Sequence, residues 1–171
     1  MYFNTLPKIT YKSIIDQDNV KVVTNILTRI KLRNPTLKNL VLFDTYDVPS
    51  GETPESIAYK HFGSTEYHWI ILMTNDITNI YTQWPMSEIA FSDYLIDKYG
   101  DNVDAVHHYE IYQASGDTTK VLQVASSQSG ATIVTNREYE ERKQDEIRKI
   151  RLIKKFYLKT FVNEFEKLVS S

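Results

Sequence analysis

Apolar and polar positions alternate along this chain in short runs separated by turn residues, and the pattern is clearest between residues 40 and 77. Leu40 to Val48 mixes β-branched, aromatic and aliphatic residues as strands do, and Pro49-Ser50-Gly51 breaks the run with turn chemistry. Thr53 then stands as an N-cap, Pro54 fits the first helical position where its missing N–H costs nothing, and Glu55 lies where the helix dipole favours an anion. Ser56 occupies the position at which a capping box carries Glu or Gln, so the full box is expected to be absent. Ile57, Ala58, His61 and Phe62 give one apolar stripe on a helix of about two turns, which Gly63 closes as its C′ residue. Ser64 or Thr65 caps a second helix, whose Trp69, Ile70, Leu72 and Met73 are too apolar for a surface and must pack against the first.

The flanking segments are less regular. Met1 to Asp18 holds one proline, isolated aromatics and no sustained period, which suits an extended arm. Val23, Ile26, Leu27 and Ile30 recur at helical spacing and predict a short helix, although Val20-Lys21-Val22-Val23 reads equally as the start of a strand. Asn34-Pro35 and Trp84-Pro85 are breaks, and Ser87 caps a helix with Ile89, Ala90, Tyr94, Leu95 and Tyr99 as its apolar face up to Gly100. Val106 to Tyr112, Lys120 to Ala125 and Ala131 to Thr135, separated by Gly/Ser/Asp turns, predict a short antiparallel meander. Arg137 to Lys155 is mostly charged and reads as a helix with solvated faces, with a strand at Ile150 to Ile153 as an option. Phe156, Leu158, Phe161, Val162, Phe165, Leu168 and Val169 form the stripe of a terminal helix. The fold class is therefore α+β, in three segments: an arm and short helix over 1–38, a strand-helix-helix module over 39–85, and an α+β region over 86–171.

Composition narrows the function classes. With 171 residues, 42% hydrophobic and 25% charged, the chain can bury a core as one domain or two small ones. It has no cysteine, which removes disulfides, thiol catalysis and cysteine zinc sites and is in keeping with assembly in a reducing cytoplasm. The amino terminus lacks the charged and apolar regions of a signal peptide, and no window reaches ~18 uninterrupted apolar residues, so neither secretion by that route nor a membrane span is expected. A net charge of -2 gives no general attraction to nucleic acid or anionic lipid.

Candidate chemistry is sparse, and no cofactor is expected. The histidines are His61, His68, His107 and His108; the last two, adjacent on a strand, should point to opposite faces and so not share an ion. Glu52, Glu55 and Glu66 could supply a carboxylate pair for glycoside cleavage, which needs two carboxyls ~5 to 9 Å apart, but capping accounts for the first two, and an enzyme is not expected. Twelve tyrosines spread over every segment favour an interaction protein, because Tyr suits surfaces that a partner buries. The basic group Arg148, Lys149, Arg151, Lys154, Lys155 and Lys159 follows Glu138, Glu140, Glu141, Asp145 and Glu146, so ion pairing is a better use for it than nucleic-acid binding.

Tyr46 to Gly63, followed by Trp69 to Met73 and Asn75, resembles the front two-thirds of a LysM module. That resemblance implies two loops forming a sugar groove: Ser50, Gly51, Glu52, Thr53 and Pro54 in the first, and Asn75, Asp76 and Ile77 after the second helix. The chain departs from the pattern where the module's second strand should follow Asn75, since Thr78 to Pro85 stands there instead. A wider set of motifs occurs in order: Phe3 to Tyr11, Val23 to Lys31, Gly51 to Ala58, His68 to Leu72, Asn75 to Ile77, Trp84 to Ser87, Thr135 to Glu141, Lys149 to Leu152 and Phe161 to Phe165. Together they resemble the baseplate wedge protein 53 family of contractile-tailed bacteriophages. The resemblance implies a structural subunit of the virion tail baseplate, assembled in the host cytoplasm. Its partners would be other wedge subunits and neighbouring copies in the baseplate ring, with wedges joined around the hub. The alternative is a peptidoglycan-binding LysM-type protein or tail-lysin accessory, for which the loop residues would contact glycan rather than protein.

Overall fold

The elements run β1 (Lys8–Lys12), β2 (Val20–Thr24), β3 (Phe43–Asp47), α1 (Pro54–Phe62), α2 (His68–Thr74), α3 (Ile80–Gln83), α4 (Glu88–Tyr99), β4 (Val106–Tyr112), β5 (Val121–Val124), β6 (Thr132–Thr135), α5 (Asn136–Arg148), β7 (Lys149–Ile153) and α6 (Leu158–Ser170). This computed structural model describes residues 5–12, 20–27, 41–117 and 119–170. Among the described residues, short antiparallel strands and six helices make a small mixed α+β fold. The described residues group into two compact units, one drawn from Met1–Tyr46, Glu52–Gln83 and Ile150–Ser171, the other from Asp47–Gly51 and Trp84–Lys149.

The strand expected before Pro49 is β3, and its partner is β7. Lys154 N–H donates to the Leu42 carbonyl and Val48 N–H to the Arg148 carbonyl, each at 3.0 Å, so position rises on one strand as it falls on the other and the pair is antiparallel. The strand that partners β3 thus comes from beyond residue 148. Its Ile150, Leu152 and Ile153 are buried.

In the first unit Thr53 caps α1 and Gly63, at φ 86°, closes it in the left-handed region that favours glycine. One expectation fails at this cap. Ser56 Oγ accepts from Thr53 N–H at 3.1 Å while Thr53 Oγ1 accepts from Ser56 N–H at 3.2 Å, so a capping box forms with a hydroxyl doing the work of a carboxylate. Ser64 caps a 3₁₀ turn at Thr65–Tyr67 that leads directly into α2. Ile57, Ala58 and Phe62 of α1 and Ile70 and Ile71 of α2 are buried. At roughly 1.5–3 kcal/mol for each large apolar side chain, their burial outweighs what the caps contribute. The terminal helix α6 lays Phe165 and Val169 against Leu6, with Trp69 and Met73 packed on the cluster and the Trp69 ring 4.5 Å from that of Phe165.

The amino-terminal segment also differs from expectation. Val20–Thr24 is a strand, in antiparallel register with β1 from Lys8 opposite Thr24 to Lys12 opposite Val20. Pairing with a strand already at hand decides a β-branched run that its spacing alone left between helix and strand. Ile26 and Leu27 lie in a turn, and the rest of the expected helix, residues 28–30, falls outside the described residues.

In the second unit Ser87 Oγ accepts from Ala90 N–H and caps α4 as expected, but the apolar face is rotated: Leu95 is buried, whereas Ile89 and Ala90 are exposed. The three short strands are antiparallel, yet their order is β5-β4-β6 rather than sequential. β4 is long enough to pair on both sides, and the connection from β5 crosses it: a Cβ at Gly130 would sit 3.7 Å from Ile111 Cδ1. α5 begins with a Thr135–Glu138 capping box and buries a polar face, Asn136, Glu140 and Gln144 at i, i+4 and i+8. Asn136 Nδ2 donates to the Asn102 carbonyl at 2.8 Å, and Gln144 Oε1 accepts from Met86 N–H at 3.0 Å. The helix expected with solvated faces has a polar interior face as well, and that face is tolerated because its groups are hydrogen-bonded.

Ile70→Ala should lower unfolding free energy by about 2–5 kcal/mol through the cavity it leaves, and Thr53→Ala by about 1 kcal/mol. Urea unfolding followed by circular dichroism measures both.

Candidate interaction surfaces

The loop residues singled out by sequence make most of their polar contacts within the fold. Ser50 Oγ accepts from the Glu88 N–H at the start of α4 at 3.0 Å, and Thr53 is occupied by its cap. Pro54 is buried. Glu52 accepts from Tyr46 Oη at 2.8 Å and pairs with Lys60, and this lysine holds its carboxyl below the usual range. Burial, followed by the bond to Glu52, pushes the Tyr46 phenol up to about 12. Gly51, at φ 79°, turns the chain in the open.

The second loop holds the β7 strand. Asn75 Oδ1 accepts from Arg151 N–H at 2.8 Å, and its Nδ2 donates to the Arg151 carbonyl at 2.9 Å and to the Ile71 carbonyl at 2.8 Å. The side-chain amide thus meets β7 as a neighbouring strand's peptide would. Thr74 and Arg151 reinforce it, Thr74 Oγ1 reaching the Arg151 carbonyl at 3.4 Å and Arg151 Nη2 donating to the Thr74 carbonyl at 3.2 Å. From α1, a His61 ring nitrogen lies 3.0 Å from the Ile153 carbonyl. Asp76 adopts φ 56°, and Ile77 N–H donates to the Leu72 carbonyl to finish the turn.

The second unit holds two carboxylates in its interior. Glu140, 3% exposed, accepts from Lys98 Nζ and Tyr99 Oη at 2.9 Å each and from Tyr94 Oη and Lys143 Nζ at 3.3 Å each. Burial by itself would raise its pKa, but the bonds from Lys98, Tyr99 and Lys143 outweigh it and hold the carboxyl at about 2. Glu110 is bound bidentately by Arg142, Nη1 to Oε2 at 2.7 Å and Nη2 to Oε1 at 2.9 Å, and the guanidinium keeps it ionised to lower pH than usual. His108 Nε2 stands 3.7 Å from the same carboxylate.

His107 and His108 overturn a sequence rule. A register shift between Val106 and His108 breaks strict alternation, and the two Nδ1 atoms approach to 2.8 Å instead of pointing to opposite faces. The His107 ring stacks on Tyr139 at 3.8 Å, and burial with the neighbouring His108 and Lys143 lowers its pKa. Nothing in the residue pattern announces a bulge. Among the described residues no group of three or more acidic or histidine side chains is placed to hold a metal, and no helix is long and apolar enough to cross a membrane.

Large apolar side chains meanwhile face solvent. In the first unit they include Val22, Leu27, Tyr59, Tyr81 and Phe156, and in the second Ile89, Ile96, Tyr112 and Ile133. Exposed aromatic and aliphatic groups of this size are the kind of surface that protein contacts use.

Asn75→Ala should cost about 1–3 kcal/mol, because the Arg151 N–H loses its acceptor; amide exchange at Arg151 and urea unfolding both report it. Glu140→Gln should destabilise by about 1–3 kcal/mol at neutral pH, the exposure of Lys98 and Lys143 keeping the loss below that of a fully buried pair. Because the folded carboxyl titrates below its unfolded value, this contribution is complete above the ordinary carboxylate range and fades as pH falls towards about 2. Unfolding curves of both proteins should therefore converge on acidification.

No curated protein matches the chain. A family model described as base plate wedge protein 53 matches residues 1–117, more than half of the sequence. That match shows that the chain belongs to the base plate wedge protein 53 family, a structural protein of the phage baseplate.

Proposed function

We propose that the chain is a non-catalytic building block of a tail baseplate wedge that binds other wedge subunits and helps to join neighbouring wedges around the hub, after assembly in the host cytoplasm. The observation that carries this reading is the use of the loop residues. Ser50, Glu52, Thr53 and Asn75 direct their polar groups to capping, an ion pair and strand closure, which leaves few of them directed at a sugar. Trp69 packs on Phe165 and Trp84 is buried, so both tryptophans serve the interior of the protein instead of an aromatic groove.

Within this reading residues 39–85 are a LysM-like docking module, residues 1–38 an arm for neighbouring subunits, and residues 86–171 the region that completes the module and extends its surface. The order β3, α1, α2, β7, with β3 and β7 antiparallel, supports a LysM-like core in which residues 84–148 are inserted before the second strand. Ser50, Gly51, Glu52, Thr53, Pro54, Asn75, Asp76 and Ile77 would then lie beside protein.

Two measurements test the proposal. The isolated chain should stay in solution when mixed with insoluble peptidoglycan; retention that is lost on Gly51→Trp would establish the glycan-binding alternative. Co-expressed with the other wedge proteins of its phage, it should co-purify with at least one of them. A chain that stays wholly monomeric in that mixture would overturn the wedge role.

A further inference from the structure

Two exposed surfaces of this chain match one another in charge and in kind. The first is the β1–β2 hairpin. Residues directly opposite on an antiparallel pair share a face, so Lys8 with Thr24, Thr10 with Val22 and Lys12 with Val20 line one side. That side shows two aliphatic groups bracketed by two lysines. Val22 is 68% exposed and Val20 46%. The described residues of this segment, 5–12 and 20–27, hold Lys8, Lys12 and Lys21 and no acidic side chain. A lone two-stranded ribbon exposed on both faces is marginal in water and gains from being covered.

The second surface is the outer stripe of α4. Ile89, Asp93, Ile96 and Asp97 fall at i, i+4, i+7 and i+8, hence on one side of the helix. Ile89 is 78% exposed and Ile96 61%, and both aspartates are exposed. The only lysine of α4, Lys98, is turned to Glu140 and adds no positive charge to this stripe. Among the described residues none of Lys8, Lys12, Lys21, Asp93 or Asp97 is held in an ion pair. Two aliphatics with two lysines therefore stand available on one element, and two aliphatics with two aspartates on another.

We infer that the hairpin of one copy docks on the outer stripe of α4 of a second copy, the lysines of β1 meeting Asp93 and Asp97 around a contact of Val20 and Val22 with Ile89 and Ile96. The contact is heterologous, since each copy presents one donor surface and one acceptor surface, and repeating it gives a ring where the rotation closes and a filament where it does not. It deepens the proposed role by supplying the surface through which neighbouring copies meet. Five-residue strands against a twelve-residue helix bury less than the ~1,200 Å² of standard complexes, so the association is weak in dilute solution and strengthens where copies are held close together.

Sedimentation velocity on the full chain, from micromolar to millimolar concentration and at about 0.05 M and about 0.5 M salt, tests the contact. The expected result is a sedimentation coefficient that rises with concentration at low salt and falls back at high salt. K8E/K12E and D93K/D97K should each abolish the rise, circular dichroism showing the fold retained. Equimolar mixing of the two variants should restore association, since the unaltered hairpin of D93K/D97K meets the unaltered α4 of K8E/K12E and the two reversed surfaces are again opposite in sign, and the quadruple variant K8E/K12E/D93K/D97K should likewise regain the concentration dependence of the wild type. A wild-type chain that is monomeric throughout, association indifferent to salt, or a quadruple variant that fails to regain it overturns the inference. Co-purification with wedge subunits reads the wedge role independently, so failure here leaves that role standing.

Discussion

The pairing of β3 with β7 is the constraint on which the first unit depends. A five-residue strand cannot stand alone, and the one that completes it begins at Lys149, after the whole of the intervening α4, β4–β6 and α5 has been traversed. Closing so long a loop is entropically unfavourable, which makes the contacts that secure β7 decisive. Three of them come from outside the sheet: the Asn75 amide on both backbone groups of Arg151, the Thr74 hydroxyl on the same carbonyl, and the His61 ring at the Ile153 carbonyl. The buried Ile150, Leu152 and Ile153 add the apolar part of the attachment. Such distant pairing slows folding relative to local contacts, since the ordering must precede the gain.

The second unit solves a different problem. α5 has almost no aliphatic residues with which to build a core, and instead Asn136, Glu140 and Gln144 face inward, each met by a donor or acceptor from another part of the unit. A buried carboxylate is tolerated when its surroundings satisfy it more fully than water would, and Glu140, with two lysines and two tyrosines, meets that condition. Glu110 meets it through the fork of Arg142.

Local chemistry was legible from sequence where a few neighbouring residues decide the outcome. Thr53, Pro54 and Gly63 bound α1, and Ser87 and Gly100 bound α4, because caps depend on a side chain and the backbone three residues away. What was not legible depends on distant partners. Val20–Thr24 becomes a strand because β1 lies beside it, the bulge near His107 depends on how β6 pairs with β4, and the rotation of α4 is set by Tyr94, Lys98 and Tyr99 turning to Glu140, forty-odd positions downstream. The Ser56 hydroxyl escaped because the usual motif specifies Glu or Gln although the geometry asks only for an acceptor within reach. The role of Asn75 could be seen as a loop position, while its strand-like grip on Arg151 required knowing where β7 returns.

The polar interior face of α5 carries a consequence of its own. An aliphatic helix can turn or slide by a fraction of a residue and still fill its groove, since oily contacts are indifferent to direction. Asn136, Glu140 and Gln144 have no such latitude: displacing the helix by one position would strand a carboxylate, two amides and the lysines that face them without partners. Intermediate shapes are thereby removed from the accessible set, so under load this unit resists small deformation and fails as a whole when it fails. Stiffness of that kind is set by hydrogen-bond geometry more than by the size of a hydrophobic core.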